Sequence, residues 1–181
     1  MKGILVFIWE IIKIVIVALV IVIPIRYFIF QPFFVEGSSM EPNFHDGDYL
    51  IIDEISYRFS EPQRGDVVVF KYPGDPSKRF IKRIIGLPGE TVEVRDHKVV
   101  IIQGSERIVL DESEYLPQNI TTPDSEPVSL KTGEYFVLGD NRSHSLDSED
   151  WGVLPRNYII GRVVLRAWPF RALAKVEVPE Y

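Results

Sequence analysis

The chain has 181 residues, 46% hydrophobic and 25% charged, and its 20 Lys and Arg against 26 Asp and Glu leave a net charge of −6. That length suits one domain, and 11 Phe, 8 Tyr and 3 Trp supply too much apolar mass for a disordered or low-complexity chain. The acidic balance lacks the basic footprint that drives phosphate-backbone binding, so no nucleic-acid partner is expected; the absence of Cys excludes disulfides, thiolate nucleophiles and cysteine zinc sites together.

The apolar residues are concentrated at the start. From Gly3 to Ile25 the only charges are Glu10 and Lys13, and Ile14 to Ile25 is unbroken. As a helix, residues 3–25 rise roughly 35 Å, enough for a hydrocarbon core, and Glu10 and Lys13 stand at i and i+3, where they neutralise each other. One transmembrane helix is predicted, within an anchor spanning residues 1–30. A cleavable leader is the rival reading, with Lys2 and Lys13 in its basic region and residues 14–25 as its apolar region. It conflicts with Arg26-Tyr27-Phe28-Ile29-Phe30, which is bulky where a leader needs small residues. Tyr27, Phe28, Phe30, Phe33 and Phe34 read instead as an interfacial aromatic belt. Lys2, Lys13 and the amino terminus outweigh Arg26 only narrowly, which favours a cytoplasmic N-terminus. Residues 35–54 carry Glu36, Glu41, Asp46, Asp48, Asp53 and Glu54 and no Lys or Arg, so nothing there retains the body inside. The expected protein is single-pass in the cell membrane, with residues 31–181 outside the cytoplasm; a thylakoid membrane is the other setting that fits.

Beyond the anchor, short Val- and Ile-rich runs alternate with Gly, Pro and acidic turns. Strands are predicted over Tyr49–Ile55, Asp66–Lys71, Arg79–Ile85, Thr91–Arg95, Lys98–Gln103, Glu134–Leu138 and Gly161–Ala167, with no helical periodicity among them. The fold class is mainly β, a partly closed barrel or sandwich. Residues 116–131, with Pro117, Pro123 and Pro127, read as an exposed excursion between strands.

Gly37-Ser38-Ser39-Met40-Glu41-Pro42 follows the aromatic belt directly, so serine chemistry there would occur near a membrane surface. A serine in such a run is ordinarily turn material; to act as a nucleophile it needs a base. Among His45, His97 and His144, only His144 lies in a polar run with acids nearby, Gly139 to Ser148, and that run also reads as a plain surface turn. Lys82 is the stronger candidate, because it interrupts the strand Phe80-Ile81-Lys82-Arg83-Ile84-Ile85. Alternation puts Lys82 and Arg83 on opposite faces without saying which is buried. Of the two, only lysine can be deprotonated in a protein and serve as a base; a snorkelling edge lysine is the bland alternative.

Taken in order, these segments resemble the type I signal peptidases, membrane-anchored Ser/Lys proteases that remove signal peptides from exported proteins. Gly37 to Pro42 is similar to the family's nucleophile box, Arg64 to Phe70 to its following strand, Phe80 to Glu90 to its lysine box, and Leu138 to Ser148 to its last box. The resemblance implies Ser39 as nucleophile, Lys82 as general base and Ser145 as the hydroxyl that orients the lysine amine. Asp140, Arg142 and Asp147 would hold the wall of the site. Where some members carry an oxyanion-hole hydroxyl this chain has Gly37, which leaves the Ser39 N–H and the Ser38 hydroxyl as donors. Glu149 stands where a basic residue is common. The partners implied are preprotein signal peptides, bound as an extended strand with small residues at −1 and −3, and the lipid bilayer; no metal and no cofactor is implied. Trp168, Pro169 and Phe170 read equally as a second membrane-dipping surface or as a cluster closing the body. Two other classes remain in view. A repressor-type Ser/Lys autoprotease has no use for the anchor, and a membrane-tethered β module that binds extended peptides without cutting them differs only at Ser39 and Lys82.

Overall fold

A computed structural model describes residues 2–28, 30–179 and 181, and within these the side chains of residues 3, 4, 6–20 and from 32 onward. Helix α1 runs Lys2–Phe28. Its described apolar side chains, such as Phe7, Trp9 and Ile14, stay exposed, and Lys13 donates to Glu10 at 2.6 Å as the i, i+3 spacing predicts. Among the described residues no helix is long and apolar enough to cross a membrane. The side chains of the second half of the expected span, and those of Tyr27, Phe28 and Phe30 in the expected belt, lie outside the described residues.

The rest is β-rich. In chain order the strands are β1 (Phe30–Phe34), β2 (Tyr49–Asp53), β3 (Val67–Tyr72), β4 (Asp75–Gly86), β5 (Thr91–Arg95), β6 (Lys98–Gln103), β7 (Glu106–Val109), β8 (Ser125–Ser129), β9 (Glu134–Leu138), β10 (Leu154–Pro155), β11 (Ile159–Trp168) and β12 (Ala174–Lys175); a one-turn helix α2 (Ser148–Trp151) precedes β10. One sheet has the order β1-β2-β11-β3-β4-β9-β10 with β12 added on β11, and a second has the order β7-β6-β5-β8.

The seven predicted strands are all present: β5, β6 and β9 match their predicted bounds, and β2, β3, β4 and β11 differ at their ends, β4 the most extended. The expected mainly β class holds, as two sheets; of the expected barrel or sandwich, no closed barrel forms among the described residues. Closure would require β1 to hydrogen-bond to β10, which is two residues long and ends in Pro155, a residue with no N–H to donate. The predicted excursion also differs. Within residues 116–131, β8 pairs with β5, and Leu116, Thr122 and Leu130 are buried. Pro127 sits in β8 at a sheet edge, the position where a sheet tolerates proline.

Three buried clusters hold the body together. Met40 and Phe44, from the loop between β1 and β2, pack with Leu50, Ile52, Val67, Val69, Ile81 and Val163. Ile85, Val92, Val99, Phe136 and Leu138 join the two sheets, and Phe70, Ile84, Tyr135 and Val137 form a third cluster. Ile81 and Ile84 thus lie in different clusters, and every residue from Ile81 to Gly86 is buried. Both faces of β4 are covered at this point, a condition that strand alternation cannot report.

Candidate active site

Ser39 lies in the loop connecting β1 to β2. Val35 N–H donates to Asp48 O and Gly47 N–H to Val35 O, both at 2.9 Å, which pinch the loop at its base. Gly37 takes φ +86°, open to glycine at little cost, and its N–H reaches Asp46 Oδ1 at 2.8 Å. Met40, fully buried, plugs the loop into the first cluster. Burying such a side chain contributes about 1.5–3 kcal/mol, so the residue after Ser39 fixes the height at which the hydroxyl stands.

Lys82 comes from β4, where it pairs across from Val68 on β3. Among the described residues β9 joins β4 only from Arg83 onward, so the stretch before it keeps a free edge. At that edge Lys82 Nζ donates to Ser39 Oγ at 2.7 Å and to Ile81 O at 3.0 Å. Lys82 is only 3% exposed. Burial pushes its amine down from an ordinary 10.5 to about 8, against the pull of the Asp147 and Asp140 carboxylates in the other direction. The Phe80 ring, 5.4 Å from Nζ, supplies part of the apolar surroundings.

Arg83, the neighbouring cation, is equally buried but serves a different end. Its guanidinium makes a two-pronged bond to Asp140, Nε to Oδ1 at 2.9 Å and an Nη to Oδ2 at 2.7 Å, and donates to Gly65 O at 3.0 Å. Its Cζ lies 4.0 Å from the centre of the Tyr115 ring. Asn43, four residues after Ser39, donates to both Asp140 Oδ2 and Tyr115 O at 2.8 Å. The β1–β2 loop, β4 and the segment after β9 are therefore tied through one carboxylate.

The segment after β9 completes the wall. Asn141 donates its backbone N–H to Ser39 O and its side-chain amide to Ser38 O, both at 3.0 Å, clasping the two carbonyls beside the serine. The approach requires Gly139: a Cβ there would sit 2.4 Å from Ser39 O and 2.2 Å from Ser145 Oγ. Asp147 accepts from Gly139 N–H at 3.0 Å and caps α2 in a reciprocal box with Asp150. Arg142 is wholly buried, donating to Glu112 at 2.5 and 3.1 Å, to Gly139 O at 3.0 Å and to the Thr122 hydroxyl. Asp140, Arg142 and Asp147 thus lie together beside Ser39 and Lys82.

Ser145 departs from the sequence expectation. Its Oγ is buried yet has no hydrogen-bond partner among the described residues, Lys82 included; the amine bonds to Ser39 and Ile81. Ser38 is exposed, with its carbonyl engaged by Asn141; the Ser39 N–H has no acceptor among the described residues. His144 is exposed, and its ring meets Ser143 Oγ at 2.8 Å rather than Ser39. Glu149, half-buried beside Asp147, has its carboxyl pushed up to about 7, chiefly by burial and then by that neighbour, against the attraction of Arg142. Sequence reasoning missed Asn43, Asn141 and Tyr115. Asn141 lay inside the last box, but nothing local marks Asn43 or Tyr115.

In front of the pair opens a cleft of about 350 Å³ lined by Phe33, Phe34 and Glu36, by Arg79, Phe80 and Ile81, and by Leu146. Ser39 Oγ and the buried Lys82 amine thus meet at the mouth of a cleft on a β-rich body. The family described as signal peptidase, peptidase S26, matches residues 8–168. A probable signal peptidase I of Synechocystis is 38% identical over 173 residues, 90% of this chain and 84% of its own. A signal peptidase I of Bacillus amyloliquefaciens is 37% identical over 178 residues, 93% of this chain and 90% of its own. A solved signal peptidase I from Enterococcus faecalis aligns over 57% of this chain and 97% of its own at 34% identity, with a TM-score of 0.47. The chain belongs to the signal peptidases of peptidase family S26.

Proposed function

We propose that the chain is an endopeptidase that removes signal peptides from exported preproteins, with Ser39 as nucleophile and Lys82 as general base. The observation that carries this reading is the 2.7 Å contact between Ser39 Oγ and a lysine amine that burial renders partly neutral at working pH. Neutral Lys82 takes the Ser39 proton as Oγ attacks the scissile carbonyl, and the ammonium so formed returns it to the leaving amine. Water then releases the acyl group by the same exchange. The Ser39 N–H, held open by the Asn141 clasp, is the first oxyanion donor, and the adjacent Ser38 hydroxyl is the second. Ser145 keeps a supporting role: its unpartnered Oγ lies beside Gly139 and gains the lysine amine as partner once Ser39 is acylated and the amine turns.

The substrate adds as an extended strand in the cleft, between the free edge of β4 and the segment leading from β1 to Ser39. In a strand, positions −1 and −3 point the same way, into the wall beside Ser39, and must be small, while −2 points outward. Residues 1–30 anchor the protein as a single pass with its N-terminus in the cytoplasm, so residues 31–181 meet lipid-embedded signal peptides on the far side of the membrane, where proximity raises the encounter rate. Trp168 and Phe170, half-exposed or more and packed edge to face at 4.8 Å, fit a surface that dips into lipid. A β module that only binds peptides would gain nothing from a buried lysine, which is costly to fold around.

The test is cleavage of a signal-peptide substrate in detergent. Ser39→Ala and Lys82→Arg should both lose activity, because Arg keeps the charge but cannot accept the proton, and His144→Ala should retain it. An active Lys82→Arg enzyme or a dead His144→Ala enzyme would overturn the assignment.

A further inference from the structure

A preference for small residues at −1 and −3 has one good match in the chain itself. Ala-x-Ala occurs once in the 181 residues, as Ala172-Leu173-Ala174, followed by Lys175 and preceded by the apolar run Trp168-Pro169-Phe170. Small residues with this spacing recur only as Gly37-Ser38-Ser39 and Ser143-His144-Ser145, both built into the active site. The Ala172–Ala174 segment lies outside that site and is accessible: Leu173 is 58% exposed, and Ala174 and Lys175 are exposed. It is also lightly held. β12 is two residues long and pairs with β11 only at Leu165 and Arg166, with Val176 N–H donating to Val164 O at 3.1 Å beyond it. Short exposed pairings of this kind open locally without global unfolding, and proteolysis follows the open population.

What lies beyond Ala174 matters to the site. Pro179 is buried against Gly65, where a Cβ would come within 2.8 Å of its ring, and the Gly65 carbonyl accepts the Arg83 guanidinium. Tyr181 lies edge-on to Tyr115 at 6.3 Å, over the ring that carries Arg83. Through Pro179 and Tyr181 the strap beyond β12 therefore backs the Arg83–Asp140 pair that ties the nucleophile loop to β4.

We propose that the Ala174–Lys175 bond is a processing site for the enzyme's own activity, cut in a second copy of this chain, and that the cut frees the strap behind the active-site wall. This rests on the peptidase reading above. In the step, Ser39 Oγ of one copy attacks the Ala174 carbonyl carbon of another, the C–N bond to Lys175 breaks, and Lys82 passes the serine proton to the leaving Lys175 amine. Water then hydrolyses the Ala174 ester, leaving a carboxylate at Ala174 and regenerating the serine.

The test incubates the full chain in detergent and follows, by intact-mass and peptide mass spectrometry, the appearance of a C-terminus at Ala174, with cleavage of a signal-peptide substrate measured in the same sample. Doubling the protein concentration should raise the initial clipping rate about fourfold, as a reaction between two copies requires. Ser39→Ala protein alone should stay intact and should be clipped when mixed with active protein. Ala174→Phe, at an exposed position, should cleave the substrate normally and resist clipping at least tenfold. A synthetic peptide spanning Pro169–Tyr181 should be cut after Ala174. Protein that cleaves the substrate but leaves both the mixed Ser39→Ala chain and the synthetic peptide intact overturns the processing site alone. Clipping of Ser39→Ala by itself, or undiminished clipping of Ala174→Phe, overturns it as well. Protein inactive on the substrate overturns the peptidase reading instead.

Discussion

The state of Lys82 sets a quantitative expectation for the pH dependence of cleavage. Burial holds its amine at about 8 instead of 10.5. At about 1.4 kcal/mol per pH unit, this gap corresponds to a cost of roughly 3 kcal/mol for carrying the charge. If neutral Lys82 is the base, about a tenth of the enzyme is competent at pH 7, half at pH 8 and about nine-tenths at pH 9. The value of kcat/KM should then rise about fivefold from pH 7 to 8 and about twofold from pH 8 to 9. The measurement is kcat/KM for a fluorogenic signal-peptide substrate across pH 6–10, with Lys82→Arg as the inactive control. A lysine in water would give a rise of about tenfold per unit through the whole interval. A histidine base, with an ordinary value near ~6.5, would give a profile already flat by pH 8. Either shape would refute the reasoning.

The same burial has a thermodynamic face. Between pH 8 and 10.5 the unfolded chain holds the Lys82 proton and the folded chain does not, so stability should climb with pH across that window and be lost as pH falls toward 8. Lys82→Met, relieved of that burden, should abolish cleavage yet unfold at a higher urea concentration at pH 7; an equal or lower midpoint would count against a costly buried amine. Asp140→Ala should be destabilising by about 3–5 kcal/mol, since it strands the buried Arg83 guanidinium, and urea unfolding with a loss below about 1 kcal/mol would show that the pair does not hold the wall. Asn141→Ala removes one bond to Ser38 O and should lower kcat several-fold while leaving the position of the pH limb unchanged; a displaced limb would mean that Asn141 acts on Lys82 instead. In the substrate, Ala→Phe at −1 or −3 should suppress kcat/KM far more than at −2, and equal losses at all three positions would remove the strand-addition arrangement.

Much of this protein is legible along its chain. Alternating Val and Ile runs between Gly and Pro turns specify strands such as β5 and β6 to the residue, because each is a local hairpin whose partner lies next in sequence. Elementary acid–base chemistry singles out Lys82 over Arg83 as a base, and the boxes that resemble a known family point to Ser39. Tertiary structure decided the rest. Alternation predicts that one of Lys82 and Arg83 is buried, whereas both are, because β4 is covered on both faces where the β1–β2 loop folds over it. Strands β7 and β8 gave no periodic signal: β7 is exposed throughout and β8 holds Pro127, so each exists only because a neighbour offers an edge. The scaffold is invisible in sequence for a further reason. Ser39 and Lys82 are 43 residues apart and Arg83 and Asp140 are 57 apart, and local patterning says which faces of an element are apolar but not which distant loop will lie on them. Asn43, Tyr115 and Asn141 acquire their roles only from that juxtaposition, and the lysine's low proton affinity comes from burial, which the folded body alone supplies.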